Sequence, residues 1–230
     1  MRYLIAETSW DMMTLAQELV TNGTLLTRTD RPEDLEHYAK IGEVDLIILP
    51  ATQLGHDGVT LDSLRAANRR APIALIARNA SSEQRAKWLT AGADTVIDPS
   101  GDHDEALARL QALARRAHGL GRPVLQYGPL RIDLMHRRAH IGDVRLKLTP
   151  KVYELLEFIA LRPGRLVTRE SLLSHIYGLE NEPDPRVFDV YMCNLRAQLS
   201  ASGGAVDIET ARGSGFRFVA ECLDEAAIAA

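Results

Sequence analysis

Apolar residues in the first 117 positions follow two alternating rhythms. Short unbroken runs such as Leu46-Ile-Ile-Leu49 have the pattern of strands buried on both faces of a parallel sheet. Between them lie segments with helical spacing. Residues 11–22 put Met13, Leu15, Leu19 and Val20 on an apolar face, and Gly23 can end the helix. The reading is strand 3–6, helix 11–22, strand 24–27, helix 32–42, strand 45–49, helix 60–68, strand 73–77, helix 82–91, strand 95–97 and helix 102–117. Asp30 and the Pro32-Glu-Asp34 first turn suit the positive N-terminus of the second helix. Five strand–helix units predict an α/β fold, a five-stranded doubly wound parallel sheet with helices on both faces.

The rhythm breaks at Gly119-Leu-Gly-Arg-Pro123, which reads as a linker. Beyond it come short alternating strands over 125–127, 130–134, 137–141 and 144–147, with turns at Gly128-Pro129 and Gly142-Asp143. Helices follow over 150–161, 169–177 and 185–199, then a hairpin over 206–211 and 216–219 around Arg212-Gly-Ser-Gly215. Thr149, with Pro150 after it, and Thr168 are the helix caps. The expected division is a first domain over 1–118, a linker over 119–123, an α+β domain over 124–223 and a tail over 224–230.

The 230 residues suit two domains of ordinary size. The net charge of −4 does not announce a nucleic-acid binder. Residues 1–120 carry 13 Lys and Arg against 17 Asp and Glu, whereas 121–220 carry 14 against 11, so the second half is mildly basic. Cys193 and Cys222 are too few and too far apart for a disulfide framework or a zinc site. The first residues enter a strand directly, without a signal peptide, and no apolar run approaches the roughly 20 residues of a membrane span. A cytoplasmic protein with no membrane partner is expected.

Two places concern chemistry. In open parallel sheets reactive groups stand just outside the carboxyl ends of strands. After Leu46–Leu49 that position holds Pro50, which has neither a nucleophile nor an amide hydrogen. The second place is the helix over 185–199. Phe188, Met192, Leu195 and Leu199 form one core stripe, leaving Arg186, Val190, Cys193, Asn194 and Ala197 on the opposite face. A capped helix before it and a glycine-rich hairpin after it make this more than a core helix. Asn can pair with adenine and Arg with guanine in a major groove. Asn194 and Arg186 are therefore the expected base contacts, with Val190 or Ala197 against a thymine methyl and Arg196 beside a phosphate. Thr168 and Arg169 open a helix whose free amides can hold another phosphate.

The whole order resembles the OmpR/PhoB family of response regulators, which join a receiver to a winged helix-turn-helix domain. Ile208-Glu-Thr-Ala-Arg-Gly-Ser-Gly-Phe-Arg-Phe218 is similar to the family's wing, and Val187-Phe-Asp-Val-Tyr-Met-Cys-Asn-Leu-Arg-Ala-Gln-Leu199 to its recognition helix. His175-Ile-Tyr-Gly178 and Met192-Cys-Asn-Leu-Arg196 are most similar to CtrA-type cell-cycle regulators. The resemblance implies double-stranded DNA as partner, no enzyme activity, no cofactor, and a minor-groove role for Arg212. It also implies a contact with RNA polymerase at the acidic loop 180–184, for which an ordinary solvated loop is the alternative.

The resemblance further implies a phosphoacceptor Asp, an acidic pair for a divalent cation, a hydroxyl residue and a Lys. Their positions hold Pro50, Glu7 with Thr8, Ala77 and Asp98, so magnesium-assisted phosphoryl transfer loses its parts together. Asp57 lies past the strand end. Asp102 and Glu105 read as a capping pair rather than as metal ligands. The family's twofold face of fourth helix, fifth strand and fifth helix survives in Lys87 with Glu105 and Asp94 with Arg116. It is lost at Thr95 opposite Arg109, and Trp88 is expected to be exposed there. The expectation is a phosphorylation-independent homodimeric transcription regulator binding repeated half-sites. The alternatives are a receiver cleft that senses a small ligand or partner, and an adaptor that no longer binds DNA.

Overall fold

The computed structural model describes residues 1–56, 58–178 and 183–220. The chain divides into two compact units, Met1–Ala117 and His118–Ala230.

In the first unit β1 (Arg2–Ala6), β2 (Leu25–Thr29), β3 (Leu46–Pro50), β4 (Ile73–Ile76) and β5 (Thr95–Ile97) form one parallel sheet in the order β2-β1-β3-β4-β5. The period-2 alternation of strands assigns each residue to one of two cores. Leu4, Ala6, Ile47, Leu49 and Leu75 face the side covered by α2 (Leu35–Ile41), α3 (Leu61–Ala67) and α4 (Ser82–Thr90). Tyr3, Ile5, Leu46, Ile48, Ala74 and Ile76 face α1 (Trp10–Thr21) and α5 (His103–Ala117). The expected three-layer α/β architecture is therefore present. Several boundaries shift by a residue or two, and Pro32–Asp34 forms a separate 3₁₀ turn before α2.

The second unit opens with the antiparallel sheet β6 (Val124–Tyr127), β7 (Leu130–Asp133), β8 (Arg138–Ile141) and β9 (Val144–Arg145). The last strand is two residues long, not four. Then come α6 (Pro150–Ala160), β10 (Leu166–Thr168), α7 (Arg169–Tyr177), α8 (Val187–Leu199), β11 (Val206–Ala211) and β12 (Gly215–Ala220). Thr149 and Thr168 cap α6 and α7 by accepting from Val152 N and Ser171 N. The strand β10 has no counterpart in the sequence reading. It exists because β12 pairs with it on one edge and with β11 on the other, in the order β10-β12-β11.

Candidate nucleic-acid interface and the altered receiver cleft

The stripe Phe188, Met192, Leu195 and Leu199 is buried to within 2% of full coverage, which anchors α8 and fixes which side points outward. Arg186, Asp189, Val190, Cys193, Asn194 and Ala197 are all exposed, and Val190 is 68% accessible although branched and apolar. The hairpin between β11 and β12 presents an exposed Arg212, and Gly213 turns at φ 74°. Tyr177 and Tyr191 join α7 to α8 through their hydroxyls at 2.9 Å.

The side chains expected at phosphates have partners within the domain. Arg196 does not hang free beside α8: its Nε donates to Ile208 O at 2.9 Å, and its NH2 donates to the same carbonyl and to Thr210 Oγ1 at 2.7 Å. It braces α8 to β11. The start of α7 is likewise occupied from within. Thr168 Oγ1 takes the Ser171 amide, and the Glu170 carboxylate accepts from its own amide and from Thr168, which lowers its pKa. The Glu170 carboxylate lies in the first turn of α7, at the positive end of the helix. Arg169 pairs with Asp189 Oδ1 at 2.8 Å and stacks over Phe216 at 4.9 Å. Most of the loop over 180–184 lies outside the described residues.

At the carboxyl edge of the first sheet, Pro50 is buried and pairs with Ile76 as the last residue of β3. Around it stand Glu7, Thr8, Ala77 and Asp98, each on the strand end or connection assigned from sequence. Arginines that the sequence reading passed over are paired with carboxylates here. Arg28 Nε lies 3.2 Å from Glu7 Oε1, and Arg78 NH2 lies 2.7 Å from Asp11 Oδ1. Gln53 Nε2 donates to Thr8 Oγ1 at 3.4 Å. Asp98 accepts from the amides of Asn79 and Ser100, both at 2.9 Å, and from the Ser100 hydroxyl. The Ser100 hydroxyl, its amide and the Asn79 amide pull the Asp98 pKa down to about 2. Asp57 lies outside the described residues. Asp102 Oδ1 caps the Glu105 amide at 2.9 Å.

The face of α4, β5 and α5 carries Lys87, Trp88, Asp94, Thr95, Glu105, Arg109 and Arg116. Trp88 is half-buried rather than exposed. With every α4 residue exposed or half-buried, the indole supplies that helix with packing onto the core that contains Ala93 and Val96. Asp94 is bound within its own chain, to the Ile73 amide at 2.7 Å and to Arg65, while Glu105 pairs with Arg109 one turn along α5.

A doubly wound sheet followed by a braced helix pair and a glycine-rich wing is the build of a DNA-binding regulator. Residues 143–218 match the family model described as "Transcriptional regulatory protein, C terminal". The chain is 32% identical over 215 residues to the cell cycle transcriptional regulator CtrA of Caulobacter vibrioides, covering 93% of each chain. It is 33% identical over 190 residues to the cell cycle response regulator CtrA of Brucella ovis, covering 82% of each. The structure aligns with the Thermotoga maritima OmpR/PhoB homologue DrrB over 95% of this chain and 98% of that one, at 20% identity and a TM-score of 0.43. The chain belongs to the OmpR/PhoB-type response regulators, a family of DNA-binding transcription factors that are not enzymes, with CtrA-type regulators among its relatives. Among the described residues no helix is long and apolar enough to cross a membrane.

Proposed function

We propose that this protein is a cytoplasmic transcription regulator that works without an aspartyl phosphate. It dimerises through α4, β5 and α5 and reads repeated half-sites with α8 in the major groove and Arg212 in the minor groove. The observation that carries the first part is Pro50 at the end of β3, with Arg28 and Arg78 paired to nearby carboxylates. A proline cannot accept a phosphoryl group, and the carboxylate pair a magnesium ion needs is reduced to Glu7. Incubation with acetyl phosphate and magnesium is expected to leave both intact mass and operator affinity unchanged. An acid-labile phosphoryl adduct would overturn the proposal.

For readout, Asn194 and Arg186 stand on the exposed side of α8, while Val190 offers an apolar surface to a thymine methyl. Asn194→Ala is expected to relax preference at one base pair by about 1–3 kcal/mol, seen as a flattened binding profile across single-base operator variants. An unchanged profile would remove Asn194 from the contact set. A ligand-sensing role is the second reading. It is favoured by a cavity of about 310 Å³ lined by Trp10, Leu15, Ile76, Arg78, Ile97 and Asp98, among others.

A further inference from the structure

The side chains of α4 are all exposed or half-buried, so its seat on the sheet depends on a few contacts. Trp88 is one. Further ties gather on the β4–α4 connection. Arg78 in that connection reaches Asp11 of α1 at 2.7 Å. Because α1 follows β1, this pair joins the elements that follow the two neighbours of β3. The next residue, Asn79, takes a left-handed φ of 54° and donates its amide to Asp98 Oδ2 at 2.9 Å. Asp98 is fixed in turn by Ser100, and it lies 3.8 Å from Arg85 of α4. Arg85 also donates to Ala80 O at 3.1 Å, and Ser81 with Gln84 closes a capping box at the helix start.

We propose that Asp98 and Arg78 are positioning residues forming a permanent brace. They hold the β4–α4 connection, and with it α4, in one place, so that the chain itself sets the α4–β5–α5 face. This inference rests on the dimerisation reading above and adds what regulates that face. The Asp98 carboxylate suits the task because its hydrogen bonds keep it ionised down to a pH of about 2.

The test uses the full chain with Asp98→Ala, Asp98→Asn, Arg78→Ala and Arg78→Lys. Hydrogen exchange is followed by peptide, and dimer dissociation by sedimentation equilibrium. Asp98→Ala is expected to raise exchange over residues 77–90 about tenfold, the effect of losing one charge-assisted tie, and to weaken the dimer by a similar factor. Exchange in β1 and β3 stays at the wild-type rate. Arg78→Ala shifts both readings in the same direction, and Arg78→Lys, which keeps the charge opposite Asp11, restores them. Should Asp98→Ala fail to fold, Asp98→Asn and Arg78→Ala carry the comparison. Wild-type exchange over 77–90 in every folded variant overturns the brace. A wild-type protein that is monomeric throughout overturns the dimer reading instead, and the exchange data still decide the brace.

Discussion

Replacing Gly215 by alanine is expected to dismantle the wing and abolish specific DNA binding. Gly215 begins β12 at φ 153° and is buried where it pairs with Thr168 of β10. A β-carbon built there would overlap Val167 O and lie 2.9 Å from Val167 C and 3.0 Å from Thr168 Cα. All three atoms belong to the backbone, so no side chain can rotate away. Relief requires β10 to separate from β12. Thr168 would then be displaced together with the cap it supplies to α7. Overpacking plus an unfavourable backbone conformation costs on the order of 3–4 kcal/mol. For a domain of this size that lowers Tm by roughly 12–32 °C. Gly213, two residues away, turns at φ 74° with nothing within 4 Å of its missing Cβ. Gly213→Ala is therefore the control, carrying only turn strain of about 1–2 kcal/mol. Thermal unfolding of both variants, with operator binding measured below the lower midpoint, checks the contrast. Equal losses from the two would show that the β10–β12 approach is not what Gly215 serves.

The two glycines look equivalent in Arg212-Gly-Ser-Gly215, and their difference shows what the sequence can convey. Local periodicity was sufficient for the parallel strands, the caps at Thr149 and Thr168, and the core stripe of α8, because each is written within about fifteen neighbouring residues. The strand β10 was not legible: Leu166-Val-Thr168 is too short to carry a period, and it is defined by a partner some fifty residues further on. Trp88 misled for a related reason. Its own helix is polar, and the core that receives it is assembled from β1, β3, β4, α2 and α3. At the carboxyl edge of the first sheet, Pro50 could be placed at the end of β3 from the apolar run before it. The pairing of Arg28 with Glu7 and of Arg78 with Asp11 could not, since charges far apart in sequence reveal no partners until the sheet order is known.

Arg196→Ala is expected to weaken DNA binding by destabilising the domain, not by removing a phosphate contact. A helical wheel gives the direction of that side chain but not what meets it, and what meets it is β11. The guanidinium closes on Ile208 O and Thr210 Oγ1, so a single group ties the recognition helix to the strand leading into the wing. Charge-assisted hydrogen bonds of this kind contribute about 1.5–3 kcal/mol, and truncation also leaves the Ile208 carbonyl short of a partner. A loss of about 2–4 kcal/mol is expected on that basis, or roughly 8–32 °C in Tm. Arg196→Lys should recover little, because one ammonium cannot reproduce a planar fork that reaches two acceptors. The measurement that separates the two roles is salt dependence. A phosphate contact would vanish with the slope of log K against log salt falling by about one and Tm unmoved. Both roles weaken binding to every operator variant alike, but a brace predicts a lower Tm and a slope unchanged in the fraction that remains folded. With Arg196 engaged on β11, Arg186 and Arg212 remain the exposed arginines of α8's cap and the wing tip. A salt titration on the wild-type protein gives the reference slope against which the variants are read.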